Sequence, residues 1–133
     1  MKFSTSFFAL LSATTSALGA AIVSPTAGQV LSASQPFNLT FASQRIFKES
    51  SNKIDVVISQ TDGSFPGALV VRDMLATSSD PRDGSAIYTV MVTPQSLCCG
   101  GVEGNRTLYV LEDYNAFGGL SGLAMLSIPV TFQ

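Results

Sequence analysis

The chain has 133 residues, of which 46% are hydrophobic and only 12% charged, and its net charge is −2. That length holds one domain at most, and so apolar a chain does not remain disordered. Histidine is absent, which removes the commonest general base and transition-metal ligand, and no basic stripe offers a surface to nucleic acid or an anionic membrane.

The first segment has the form of a secretory signal. Lys2 supplies a minimal positive start, and residues 3–17 form an apolar stretch diluted by Ser and Thr. Small residues then precede two candidate cleavage points, after Gly19 (Ala17-Leu18-Gly19) and after Ala17 (Thr15-Ser16-Ala17). The stretch is too short and too polar for a membrane span of roughly 20 residues. The expected organisation is therefore a signal peptide over 1–19 and one domain over 20–133, secreted to the extracellular space. Removing Lys2 with the leader takes the net charge from −2 to −3.

Short strands separated by turns follow. An early strand covers 21–23 and continues near 29–31, after the Ser24-Pro25-Thr26-Ala27-Gly28 turn. Phe37, Leu39 and Phe41 alternate with Asn38 and Thr40, a period of two that puts the apolar set on one face. Ile54, Val56 and Ile58 repeat the pattern, and 68–72 is a short apolar run. One turn of helix is expected over 74–79. Asp80-Pro81-Arg82-Asp83-Gly84 is a loop, because proline fixes φ and glycine permits positive φ. Tyr88, Val90 and Val92 mark the next strand, then Leu108 and Val110, then Leu126, Ile128, Val130 and Phe132. Pro129 cannot donate to a ladder, so the last strand is expected to be an edge or bulged there. The fold class is all-β: a small immunoglobulin-like sandwich of about seven short antiparallel strands.

Two N-glycosylation sequons lie in this secreted frame, Asn38-Leu39-Thr40 and Asn105-Arg106-Thr107. The two cysteines are adjacent, Cys98 and Cys99, so a bridge between them closes almost no loop and constrains the unfolded chain little. Three states stay open for them: a vicinal disulfide, two thiols, or intermolecular bridges.

No catalytic set is visible. Serines have no histidine to activate them, and a Ser–Lys pair through Lys48 or Lys53 has no pointer in the sequence. Glu112 and Asp113 are neighbours on a strand and so face opposite ways. Asp80 and Asp83 fall short of the six to eight oxygens calcium takes. No phosphate loop, dinucleotide fingerprint or zinc spacing occurs. The expectation is a protein that is not an enzyme and has no catalytic residue, metal or cofactor.

Three segments carry a resemblance. Asp62-Gly63-Ser64-Phe65-Pro66-Gly67-Ala68-Leu69 resembles an aromatic-Pro-Gly-small-Leu segment, residues 84–94 a Tyr-centred strand ending in Val-x-Pro, and Leu108-Tyr109-Val110-Leu111 to Phe117-Gly118-Gly119 a strand and aromatic-Gly turn. Together they are similar to the necrosis-inducing secreted protein family of fungal effectors. The resemblance implies a secreted virulence protein, acting in the host apoplast or host cytoplasm. Such a protein binds plant immune receptor-associated kinases, suppresses pattern-triggered immunity and induces cell death. No binding residue is carried over from the family. The opening 22–28 segment is similar to fungal glucan-associated wall proteins, which makes a structural wall protein the alternative. The expected state is a monomer, with partner contacts through loops 61–67, 80–85 and 95–105.

Overall fold

Alternation of apolar and polar side chains governs the fold. Phe37, Leu39 and Phe41 are buried while Asn38 is exposed, as a pleated strand with one wet face requires. The computed structural model describes residues 19–45, 49–59, 67–94 and 101–133. Over these it is all-β, with nine strands and no helix: β1 (Ala21–Ser24), β2 (Gln29–Leu31), β3 (Phe37–Ala42), β4 (Ser50–Ile58), β5 (Ala68–Met74), β6 (Ser78–Ser79), β7 (Ala86–Val92), β8 (Gly104–Asn115) and β9 (Ser121–Phe132). They form a four-stranded sheet, β1-β3-β7-β6, and a five-stranded sheet, β2-β9-β8-β4-β5. No helix among the described residues is long and apolar enough to cross a membrane.

The structure corrects three expectations. The early strand is two strands in different sheets: β1 pairs antiparallel with β3, and β2 pairs parallel with β9. The ladder is therefore not wholly antiparallel. The break falls at the cis Ser24-Pro25 peptide and the turn after it. Second, residues 74–79 are not helical. Thr77 donates both its N–H (2.9 Å) and its hydroxyl (3.1 Å) to the Ile87 carbonyl, which stitches the segment to β7 and makes Ser78–Ser79 a strand. These two changes raise the count from seven to nine. Third, β8 and β9 are not short. They pair over twelve residues each, from Gly104 opposite Phe132 to Asn115 opposite Ser121.

Pro129 sits where the expectation put it. β2 covers β9 only over Val130–Phe132, so among the described residues Ser121–Ile128 is an edge on the side away from β8. The Pro129 carbonyl accepts from Gly28 N at 2.7 Å, so its missing N–H falls where the β2 ladder is only beginning.

Both sheets contribute to one core. Leu39, Phe41, Tyr88 and Val92 come from the four-stranded sheet; Ile54, Val56, Leu108, Val110, Val130 and Phe132 come from the five-stranded one. Phe37 and Phe132 meet across the sheets with ring centroids 5.9 Å apart. Tyr88 lies opposite Phe41 in the ladder, centroids also 5.9 Å apart, and its hydroxyl bonds Ser51 Oγ of the other sheet at 2.6 Å. A buried tyrosine needs such a partner for its polar end.

Candidate functional site

The inward face of β8 carries Arg106, Leu108, Val110 and Glu112. Two charged residues thus bracket an apolar pair. A buried charge survives only when it is paired and hydrogen-bonded. Arg106 meets that demand with carbonyls: its Nε donates to Val102 O at 2.9 Å, and its Nη2 to Gly101 O at 2.8 Å and Glu103 O at 3.0 Å.

Glu112 meets it with side chains. It is fully buried. Its Oε1 accepts from Ser43 Oγ at 2.5 Å, and its Oε2 accepts from Arg45 Nε at 3.2 Å and Nη2 at 2.9 Å. The forked Arg45 contact is the planar, charge-assisted geometry that arginine makes with a carboxylate. Arg45 also reaches Glu49 at 3.6 Å, and its guanidinium lies 3.5 Å from the centre of the Tyr114 ring. Burial works against the Arg45 charge, but the hydrogen bonds and negative charge of Glu112 outweigh it, with Tyr114 and Glu49 adding, and the guanidinium's pKa is raised. Tyr114 owes its position to Gly122 opposite it on β9, where a Cβ would come within 2.4 Å of the phenol ring. The chain of support runs from Gly122 to Tyr114, Arg45 and Glu112, and it pins the start of the β3–β4 connection to the end of β8.

That clamp defines one end of the domain. Ser50 lies opposite Asn115, and Asn115 opposite Ser121. Ala42 lies opposite Ile87, and Ser79 opposite Ala86. The β3–β4 connection, the β6–β7 loop over 80–85 and the β8–β9 turn over 116–120 therefore share this end. The β8–β9 turn is tight: Ala116 N donates to Leu120 O at 2.6 Å, and Gly118 and Gly119 take φ of 85° and 80°, which glycine adopts at no steric cost. It holds Phe117 and Leu120 out at 66% and 70% exposure. Leu75, just past β5, is also 70% exposed. Large apolar side chains held out on a braced turn suit contact with another molecule.

Of the three loops expected to bind, 80–85 is at this end. Ile58 lies opposite Ala68 and Leu108, and Phe37 opposite Val92, so Ser59, Gly67, Thr93 and Gly104, which flank the other two segments, lie towards the opposite end. Residues 61–66 and 95–100, with Cys98 and Cys99, lie outside the described residues. So does Lys48; Lys53 is paired with Asp73. The two sequon asparagines, Asn38 on β3 and Asn105 on β8, are both exposed. Asn105 Oδ1 accepts from Thr131 Oγ1 at 2.9 Å. Enzymatic removal of N-glycans from the protein expressed through a eukaryotic secretory route is expected to lower its mass in two steps, one per sequon. An unchanged mass would refute the assignment.

Asp113 faces away from Glu112 and accepts weakly from Asn52 Nδ2 at 3.4 Å. Asp80 and Asp83 serve their own loop. Asp80 accepts from Arg82 N (2.9 Å), Nε (3.0 Å) and Nη2 (2.6 Å), and Asp83 from Ser85 N at 2.9 Å. Among the described residues no group of three or more Asp, Glu or Cys could hold a metal. The Arg82 side-chain hydrogen bonds, then its N–H, hold the Asp80 carboxyl down from 3.8 to about 2. A carboxyl whose folded pKa is depressed contributes its stabilisation above its unfolded pKa and loses it as pH falls through the folded one. The Asp80–Arg82 clasp should therefore be intact above pH 3.8 and open as pH falls towards about 2. Carbon-detected NMR titration checks this: a midpoint near the ordinary aspartate value would mean no clasp in solution.

Comparison of the chain with family models, curated proteins and solved structures finds no match. The sequence reading missed the Ser43–Arg45–Glu112 clamp. Its signal was the continuation of the Leu108, Val110 period outward to Arg106 and Glu112.

Proposed function

We propose that the chain is a secreted effector that acts by binding a host protein, without turnover, on an immunoglobulin-like sandwich. The strand orders support the fold: β1-β3-β7-β6 and β2-β9-β8-β4-β5 correspond to the A-B-E-D and A′-G-F-C-C′ orders of immunoglobulin domains. In that correspondence the β3–β4 connection and the β8–β9 turn are the B–C and F–G loops, which variable domains use for recognition.

The observation that carries the binding reading is Phe117 and Leu120. They are held exposed on a tight glycine turn, beside a connection pinned by Arg45 and Glu112. Bracing cuts the ordering cost of association, so more of the contact energy appears as affinity. The resemblance to necrosis-inducing secreted effectors names the partner class, plant immune receptor-associated kinases.

The test is a burst assay with a capture arm. The protein is expressed in leaves, and the oxidative burst is recorded after a microbial elicitor. Wild type should reduce the burst and retain a receptor-associated kinase. The Phe117→Ser/Leu120→Ser double variant should bind more than about tenfold more weakly, as truncated anchors do, and restore the burst. An unchanged burst with no kinase captured overturns this reading. Retention of β-glucan from wall extract instead would support the wall-protein alternative.

A further inference from the structure

The edge of β9 has a use that the binding reading does not touch. Along Ser121–Ile128 no strand among the described residues pairs with β9 on the side away from β8. The Pro129 carbonyl points to that side, towards Gly28, and Gln133 N donates to Leu31 O on it. Backbone polarity alternates along an antiparallel strand, so the N–H and C=O groups of Ser121, Leu123, Met125 and Ser127 point to the open side as well. Unpaired rows of this kind template the addition of another strand.

Edges are normally guarded by charge, proline or a bulge. Here Pro129 ends the open stretch, but no charge, proline or bulge lies within it, and no described strand covers it. From Tyr114 to Gln133 the sequence has no charged residue. Leu123 and Met125 stand on the outer face of the sheet, 69% and 57% exposed. Ser127, on the same face, is also exposed.

We propose that Ser121–Ile128 of β9 pairs antiparallel with the same segment of a second copy, joining two five-stranded sheets into one. The register that stops short of β2 sets Ser121 opposite Ser127 of the other copy and Leu123 opposite its Met125. It repeats both pairs by two-fold symmetry, as an isologous interface requires. Charge selects the occupant. The chain is acidic overall, yet two copies meeting at this edge bring no like charges together, and each exposed leucine meets a methionine. The proposed assembly is a dimer at working concentrations, where the sequence reading expects a monomer.

Sedimentation velocity of the purified protein over a dilution series tests this. Wild type should show a dimer that dissociates on dilution. Leu123→Lys/Met125→Lys places lysines against lysines across the two-fold and should raise the dissociation constant more than about tenfold. Leu123→Lys/Met125→Glu places each lysine against a glutamate of the other copy and should restore the dimer. All the changed side chains are exposed, and circular dichroism confirms the fold of each variant. A wild type that stays monomeric at every concentration overturns the proposal. So does a Lys/Lys variant that still dimerises, or a Lys/Glu variant that does not.

Discussion

Phe41→Ala is expected to cost about 3–5 kcal/mol of folding stability. Phe41 is fully buried near the end of β3, a strand flanked by β1 and β7. Its ring packs on Tyr88, whose hydroxyl reaches Ser51 in the other sheet. Truncation removes transfer free energy and leaves a cavity, and paired strands on both sides of β3 prevent the backbone from closing it. Urea unfolding should show a lower midpoint with an unchanged slope. The comparison is Cys98→Ser/Cys99→Ser, expected to cost under about 1 kcal/mol, as at an ordinary loop site. The two results rank the apolar core against the cysteine pair as the source of stability. A cysteine variant costlier than the phenylalanine variant would reverse that ranking.

Arg45→Met is the second large change, expected to cost about 3 kcal/mol, because it strips the charged partner from a fully buried carboxylate. Ser43 alone would then hold Glu112, and Tyr114 would lose the guanidinium stacked on its ring. Glu112→Leu should be similarly harmful alone, since it strands the shielded Arg45 side chain. Arg45→Met/Glu112→Leu should cost much less than the sum of the two, because no buried charge remains unpaired. A double-mutant cycle in urea at neutral pH reads the difference as a coupling energy. Additive costs would mean that the clamp is spectator geometry. The double variant also separates stability from recognition: it should fold, yet leave the β3–β4 connection unpinned beside Phe117 and Leu120.

The strands legible in the sequence were those whose apolar residues alternate. Phe37, Leu39 and Phe41 are buried as the period demands, and so are Ile54, Val56 and Ile58. What escaped lacked that signal. β6 consists of two exposed serines, and only their pairing with Ala86 and Ile87 makes them a strand. β2 pairs through backbone groups with a strand about a hundred residues away, which no local pattern encodes. Glu112 escaped for a different reason. A carboxylate on a strand is ordinarily read as solvated, and its partners Ser43 and Arg45 lie more than sixty residues earlier. Local periodicity placed Glu112 and Asp113 on opposite faces, but only the tertiary fold decided which face was dry.

The parallel pairing of β2 with β9 has a mechanical consequence. Gln29–Leu31 and Val130–Phe132 run in the same direction, with the ladder extended by Gly28, Ala33 and Gln133. Tension applied upstream of Gln29 and downstream of Phe132 pulls the two segments past each other along their length. The bonds between them then bear load together instead of opening one at a time. Resistance to this pull is thus concentrated in the short β2–β9 ladder, remote from the clamped end where Arg45 meets Glu112.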